Sequence, residues 1–135
     1  MTRVLELRIA LTVEDYDEAL RFYRDGLGLP VEEAWDRPDG RGAILGVDRA
    51  TFELLSTEMA ETVDRVEAGD RVSGTVRLAL EVEDPAGIAE SLVAAGAERV
   101  GGPVETPWGD TNVRVRAPDG MQLTLFATRS DAEAS

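Results

Sequence analysis

Arg8 and Arg77 stand at the head of the same eight-residue phrase. Residues 8–15 read Arg-Ile-Ala-Leu-Thr-Val-Glu-Asp and residues 77–84 read Arg-Leu-Ala-Leu-Glu-Val-Glu-Asp, 69 positions apart in a chain of 135. A guanidinium keeps its charge, donates through a planar fork and has no lone pair, so it can grip a carboxylate, phenolate or carbonyl oxygen but cannot ligate a metal ion. Out of water it needs an anionic partner, and Glu53 and Glu81 are the candidates. The same carboxylates could act as a general base, although nothing in their spacing separates them from the other acids. Aromatic residues make up 5% of the chain, so the two tryptophans, Trp35 and Trp108, are candidate stacking faces for a flat ligand.

The missing residue types narrow the chemistry further. The chain has no histidine, no cysteine and no lysine. The commonest general base, the thiolate nucleophile and the Schiff-base amine are therefore all absent, and catalysis would have to rest on carboxylates, Tyr, Ser, Thr or Arg. Gly40-Arg41-Gly42 and Gly101-Gly102 lack the strand, turn and helix context of a phosphate-binding loop.

The elements that position these residues follow from periodicity. In the repeated phrase, Ile9, Leu11 and Val13, and likewise Leu78, Leu80 and Val82, point to one face of a strand. Arg8, Ala10 and Thr12, with Arg77, Ala79 and Glu81, point to the other, which could line a cavity. A repeat of half the chain length implies one supersecondary unit used twice. After the first strand (3–13), Asp15 caps a helix whose stripe is Tyr16, Ala19, Leu20, Tyr23 and Leu27, ended by Gly28 and Pro30. Strands are predicted at 31–36, 42–47 and 51–56, with the turn Arg37-Pro38-Asp39-Gly40 between the first two. Residues 57–73 carry charges of both signs around Met59, Val63 and Val66, and read as a solvated crossover with one or two helical turns. The order then recurs: the Arg77 strand, a helix capped by Asp84 with Pro85 at its first position and Gly96 at its end, a weak strand at 98–105, and strands at 111–116 and 121–127 around the turn Ala117-Pro118-Asp119-Gly120.

The expected organisation is one domain, residues 1–127, made of module one (3–56), the crossover (57–73) and module two (74–127), with a polar, disordered tail at 128–135. The fold class is α+β: two repeated βαβββ modules whose curved mixed sheets surround a cavity. A formal charge of −13 disfavours nucleic acid and anionic membranes and would attract a cationic small molecule. No apolar run is long enough to span a bilayer and no charged-then-apolar leader is present, so the expected location is the cytoplasm.

The two strand-helix-strand-strand-strand modules, Phe22-Tyr23 followed by Leu27-Gly28-Leu29, and Trp108-Gly109 followed by Pro118-Asp119-Gly120, resemble the vicinal oxygen chelate superfamily. That group includes glyoxalases, extradiol dioxygenases and bleomycin resistance proteins, and the resemblance spans Arg3 to Ala127. It implies metal ligands on the first and fourth strands of each module, which here are Arg8, Glu53, Arg77 and Thr124. Three of these four have lost the ligand type, so the resemblance implies no metal and no cofactor. The guanidiniums either plug the vacated space through ion pairs or leave one free to bind a ligand. By analogy with the resistance-protein branch, Trp35 and Trp108 would stack on a planar drug; otherwise Trp108 packs under its own turn and Trp35 fills a core or a subunit contact.

The expected function is metal-free binding of a small planar or cationic natural product, of the bleomycin or mitomycin kind, by Arg8, Trp35, Glu53, Arg77, Trp108 and Thr124. The alternative is an isomerase, epimerase or lyase acting on a small carbonyl substrate through a cavity carboxylate such as Glu53, with Arg8 or Arg77 holding an enolate. The resemblance also implies a homodimer, with strand exchange between modules as one form of it.

Overall fold

The computed structural model describes residues 4–26, 28–47 and 50–128. The first module runs β1 (Glu6–Val13), α1 (Tyr16–Leu20), a π-helical turn (Arg21–Gly26), β2 (Val31–Arg37), β3 (Gly40–Val47) and β4 (Ala50–Ser56). A helix α2 (Thr57–Ala68) joins it to β5 (Val76–Glu81), α3 (Pro85–Ala94), β6 (Glu98–Glu105), β7 (Thr111–Arg116) and β8 (Gln122–Ala127). Among the described residues no helix is long and apolar enough to cross a membrane. The tail beyond Thr128 lies outside the described residues.

The two expected sheets are one. The strand order is β2-β3-β4-β1-β5-β8-β7-β6, with the modules joined through the antiparallel pair β1–β5. Alternation along the strands sorts the side chains as the repeated phrase predicts. On the convex face, Leu11 and Val13 pack with Tyr16, Ala43, Leu45 and Leu54 under α1, and Val82, Val113, Val115 and Leu125 pack with Ala89 of α3. Both helices begin on aspartate caps: Asp15 accepts from the Glu18 N–H at 3.0 Å and Asp84 from the Gly87 N–H at 3.1 Å. The first helix departs from its expected course by widening to a π-helical turn after Leu20. Tyr23 still reaches the core beside Phe52, while Phe22 is 60% exposed and Leu27 lies outside the described residues.

The concave face is built by register. Ala10 pairs with Glu53 on one side and Arg77 on the other, and Ala79 pairs with Arg8 on one side and Thr124 on the other. Two small residues at the centre of the sheet leave room for the long charged side chains beside them to lean over the cavity floor. Both alanines are buried.

The crossover is the largest departure from expectation. Residues 57–68 form a full helix laid across the concave face, in contact with β1, β3 and β4 of one module and β6 and β7 of the other. Ser56 caps it by accepting from the Met59 N–H at 3.1 Å, and Gly69 ends it in the left-handed conformation. Its buried stripe is Met59, Ala60, Val63, Asp64 and Glu67, so two of the five inward positions are acids. At its C-terminal end the helix lies directly on Gly101, where a Cβ would come within 2.0 Å of the Glu67 carbonyl oxygen.

The acids on that stripe are held by Arg114 of β7, which is fully buried. Its guanidinium reaches Asp64 Oδ1 and Glu67 Oε1, each at 2.9 Å, and donates to Ser73 Oγ at 2.9 Å and Gln122 Oε1 at 3.3 Å. Asp64 also accepts from the Val72 and Ser73 amides at 2.9 and 2.7 Å and pairs with Arg71 at 2.9 Å. Burial alone would raise the proton affinity of Asp64. The Ser73 amide and hydroxyl, with Arg114 and Arg71, outweigh it and hold the carboxyl down at about 2.

Candidate functional site

A cavity of about 210 Å³ opens between α2 and the concave face. Module one supplies Arg8, Glu33, Trp35, Arg37 and Glu53 to its wall, α2 supplies Met59, Val63 and Glu67, and module two supplies Arg77, Trp108, Asp110, Asn112 and Phe126. Five of the six residues singled out from the sequence, Arg8, Trp35, Glu53, Arg77 and Trp108, therefore share one cavity.

Thr124 sits behind that wall. It is 2% exposed, accepts from Arg77 Nη1 at 2.8 Å and donates to Glu67 Oε1 at 2.6 Å. It touches the cavity through Arg77 and Glu67, and it orients the Arg77 guanidinium.

The arginines are paired, but not with the partners expected of both. Arg77 approaches Glu53 at 3.5 Å. Arg8 is gripped by Glu6, its Nε and Nη2 donating at 3.1 and 3.2 Å, and Glu6 in turn accepts from the Thr51 hydroxyl at 2.5 Å. Glu81 stands opposite Glu6 in the strand register. Arg8 also lies over the Phe126 ring, 4.9 Å from its centroid. Burial raises the proton affinity of Glu53, against the opposing fields of Arg77 and Arg8.

The four strand positions that would carry metal ligands do not fit a divalent cation. Arg8 and Arg77 are donors only, the Thr124 hydroxyl is already engaged on Arg77 and Glu67, and the single anion among the four, Glu53, lies beside Arg77. Among the described residues no group of three His, Cys, Asp or Glu side chains is arranged to hold a metal.

The tryptophans converge from opposite ends of the sheet. Both pack on one apolar cluster of Ala10, Leu55, Met59, Ala60 and Val63. Trp35 lies flat on β3 over Gly42, where a Cβ would come within 2.1 Å of the indole ring. Its Nε1–H is buried with no acceptor. Trp108 is carried by a tight connection in which the Thr106 N–H donates to the Asp110 carbonyl at 2.8 Å and the Asp110 N–H to Thr106 Oγ1 at 3.0 Å.

Asp110 and Asn112 escaped the sequence reading. Asp110 follows Trp108 by two positions and enters the same cavity, and its carboxylate accepts no hydrogen bond among the described residues. Burial, reinforced by Glu33, Glu53 and Glu67 and opposed by Arg8, pushes its carboxyl up to about 6. Asn112 is 4% exposed; its Nδ2 donates to Glu67 Oε2 at 2.8 Å, leaving Oδ1 without a donor. Alternation along β7 is the sequence signal for both residues, since Asp110, Asn112 and Arg114 must share the face opposite Val113 and Val115.

A family model described as Glyoxalase/Bleomycin resistance protein/Dioxygenase superfamily matches residues 7–125. A search of curated proteins finds no match. Among solved structures, the chain is similar to methylmalonyl-CoA epimerase from Mycobacterium tuberculosis, at 20% identity and a TM-score of 0.69, covering 98% of this chain and 93% of that one. It is similar to a single-residue variant of the Streptomyces coelicolor methylmalonyl-CoA epimerase in complex with 2-nitronate-propionyl-CoA, at 17% identity and a TM-score of 0.70, covering 96% and 97%. A glyoxalase/bleomycin resistance protein/dioxygenase superfamily member from Vibrio splendidus 12B01 aligns at 16% identity and a TM-score of 0.60, covering 94% and 99%. At these identities the structural matches bear on the fold alone.

Proposed function

The chain belongs to the Glyoxalase/Bleomycin resistance protein/Dioxygenase superfamily, and within it we propose a metal-independent receptor for a small planar molecule, of the kind that confers resistance by sequestering a natural product. The observation that carries this reading is the convergence of Trp35 and Trp108, from different modules, on one cavity in which guanidiniums replace metal donors. Ion pairs satisfy the charges on the floor, and the tryptophans supply stacking faces that tolerate varied substituents. At about 210 Å³ the space is smaller than drug-sized pockets of roughly 300–1,000 Å³, so it suits a compact ring system or the flat part of a larger molecule. Intrinsic tryptophan fluorescence should change on titration with planar compounds, and Trp108→Ala should weaken binding about tenfold or more. An unchanged emission across such a panel at high micromolar concentration would remove this reading.

A second reading is supported by Asp110. A carboxylate without a hydrogen-bond donor, its proton affinity raised to about 6, shares the cavity with Arg8 and could remove a proton beside a carbonyl group while a guanidinium holds the resulting oxyanion. Exchange of solvent deuterium into the α-carbon of a small carbonyl compound, lost in Asp110→Asn, is the signature of this enzyme. No exchange above the uncatalysed rate argues against it.

The subunit state we propose is a homodimer formed through the convex face. Leu5, Leu7 and Val76, 39%, 36% and 38% exposed, lie near the β1–β5 seam, and Phe22 protrudes from the π-helical turn. Sedimentation should give twice the chain mass, and Leu7→Glu should give a monomer with unchanged circular dichroism. A monomeric parent chain at tens of micromolar would refute this interface.

A further inference from the structure

One wall of the cavity is made of hydrogen-bond acceptors that lack donors. The Asp110 carboxylate receives no hydrogen bond among the described residues, although the backbone N–H of the same residue is satisfied by Thr106. Two positions further along, Asn112 Oδ1 is an orphan. The assignment of that oxygen is fixed chemically, because the facing group is the Glu67 carboxylate, which is paired with Arg114 and can only accept; the amide must therefore turn its Nδ2 toward Glu67. A buried acceptor with no donor is costly to keep, so its persistence in a cavity wall calls for an external group.

Among the described residues no arginine hydrogen-bonds these acceptors, and Arg8 acts on Asp110 only through its field. Arg8 is committed to Glu6, Arg77 to Glu53 and Thr124, Arg37 to Asp39, and Arg114 to Asp64 and Glu67. The lining thus holds Glu33 and Asp110 as acids beyond those matched by arginine. Trp108, from the same connection as Asp110, adds an aromatic face to the same cavity. A ring with an electron-rich face near an unpaired carboxylate attracts a flat cation twice over, through its quadrupole and through the charge.

Resting on the reading of this pocket as a small-molecule site, we propose that it selects an organic cation whose N–H groups lie on a planar frame, an amidinium, guanidinium or protonated amino-heterocycle. Asp110 takes the charge and Trp108 stacks on the plane. Asn112 Oδ1 accepts a second N–H once the entering group has shifted the side chains that cover it. Arg77, turned by Thr124 and Glu53, stays on the floor beneath.

Benzamidine and benzamide test this directly, since they share shape and plane and differ in charge. Calorimetric titration of the full chain at pH 7.5 should show benzamidine binding at least roughly tenfold more tightly than benzamide. Asp110→Asn should reduce that ratio to within about twofold. Lowering the pH from 7.5 to 5 should weaken benzamidine, which stays charged throughout, by about tenfold in the parent chain as Asp110 takes up its proton. The other groups facing Asp110, namely Arg8, Glu33, Glu53 and Glu67, remain in the variant, so a flat profile there assigns the effect to Asp110. The pH series on the parent chain keeps the test valid should the variant fold poorly. Equal affinity for the two probes would overturn cation selection while leaving a planar-ligand receptor intact. Binding of neither probe, or a preference that survives in Asp110→Asn, would equally overturn the selection by Asp110.

Discussion

Arg114→Met is expected to lower the unfolding free energy by about 3–5 kcal/mol, the range for removing one partner of a buried ion pair. The substitution roughly keeps the volume and removes the guanidinium that pairs with Asp64 and Glu67 together, which are 1% and 3% exposed. Each acid keeps part of its shell, Asp64 through Arg71, Val72 and Ser73, and Glu67 through Asn112 and Thr124. What is lost is the guanidinium paired with Glu67 and one of the two paired with Asp64, and in a domain stabilised by only about 5–15 kcal/mol that is a large fraction of the whole. Arg114→Lys should recover little, because one ammonium cannot reproduce the fork that now reaches Asp64, Glu67, Ser73 and Gln122. Urea unfolding with an unchanged m-value is the measurement, and a loss below about 1 kcal/mol would show that the triad does not hold α2 to the sheet. Combining Arg114→Met with Glu67→Gln should cost less than the sum of the two, since the second change removes a charge the first has stranded.

The consequence for the cavity is direct. Thr124 accepts from Arg77 and donates to Glu67, so the network that anchors α2 also orients the guanidinium on the cavity floor. Where Arg114→Met remains folded, ligand affinity should fall along with stability, although Arg114 does not itself line the cavity.

The fold was legible because it is written twice. The repeated phrase at Arg8 and Arg77 gave the strand faces and put both arginines on the concave side, Asp15 and Asp84 gave the helix starts, and Glu53 was placed there only through the family resemblance. Helix α2 was legible only as one or two turns of a solvated crossover, and the reason is physical. A periodicity reading treats an acid as a solvent-facing residue, and two of the five inward positions of α2 are Asp64 and Glu67. The charge that neutralises them arrives from Arg114, 47 positions after Glu67, and no local window contains both. Asp110 was overlooked for a related reason: its effect depends on the shielding around it and on Glu33, Glu53 and Glu67, which the fold gathers from two strands and a helix. Trp35 and Trp108 were picked out on rarity and on the analogy with the resistance-protein branch, and only the folded chain shows that they meet on one cavity. The partner of Arg8 was misjudged because Glu6, two residues earlier on the same strand face, lies within hydrogen-bond reach of its guanidinium.

Acid should unfold the chain through Asp64, and the direction follows from linkage. Its folded carboxyl titrates at about 2 against 3.8 for the free group, so it contributes stability that is fully present above about pH 4 and lost as the pH falls toward 2. The difference corresponds to about 2 kcal/mol, and because the side chain is 1% exposed little of it is screened by water. Asp110 acts with the opposite sign: a folded carboxyl at about 6 means that the folded chain takes up the proton first, so this group adds stability as the pH falls from about 6 to 4. Urea midpoints measured from pH 7 to pH 2 should therefore rise on acidification from about pH 6 to about pH 4 and fall below about pH 4, the two changes being of similar size. Asp110→Asn should abolish the rise, and Asp64→Asn should start lower at neutral pH and converge on the parent chain near about pH 2. The convergence is the discriminating feature, because a substitution that merely damaged the packing of α2 would leave a gap of constant size at every pH. Parallel curves for the parent chain and Asp64→Asn would mean that the buried carboxylate is not the ionised keystone of the α2 anchor.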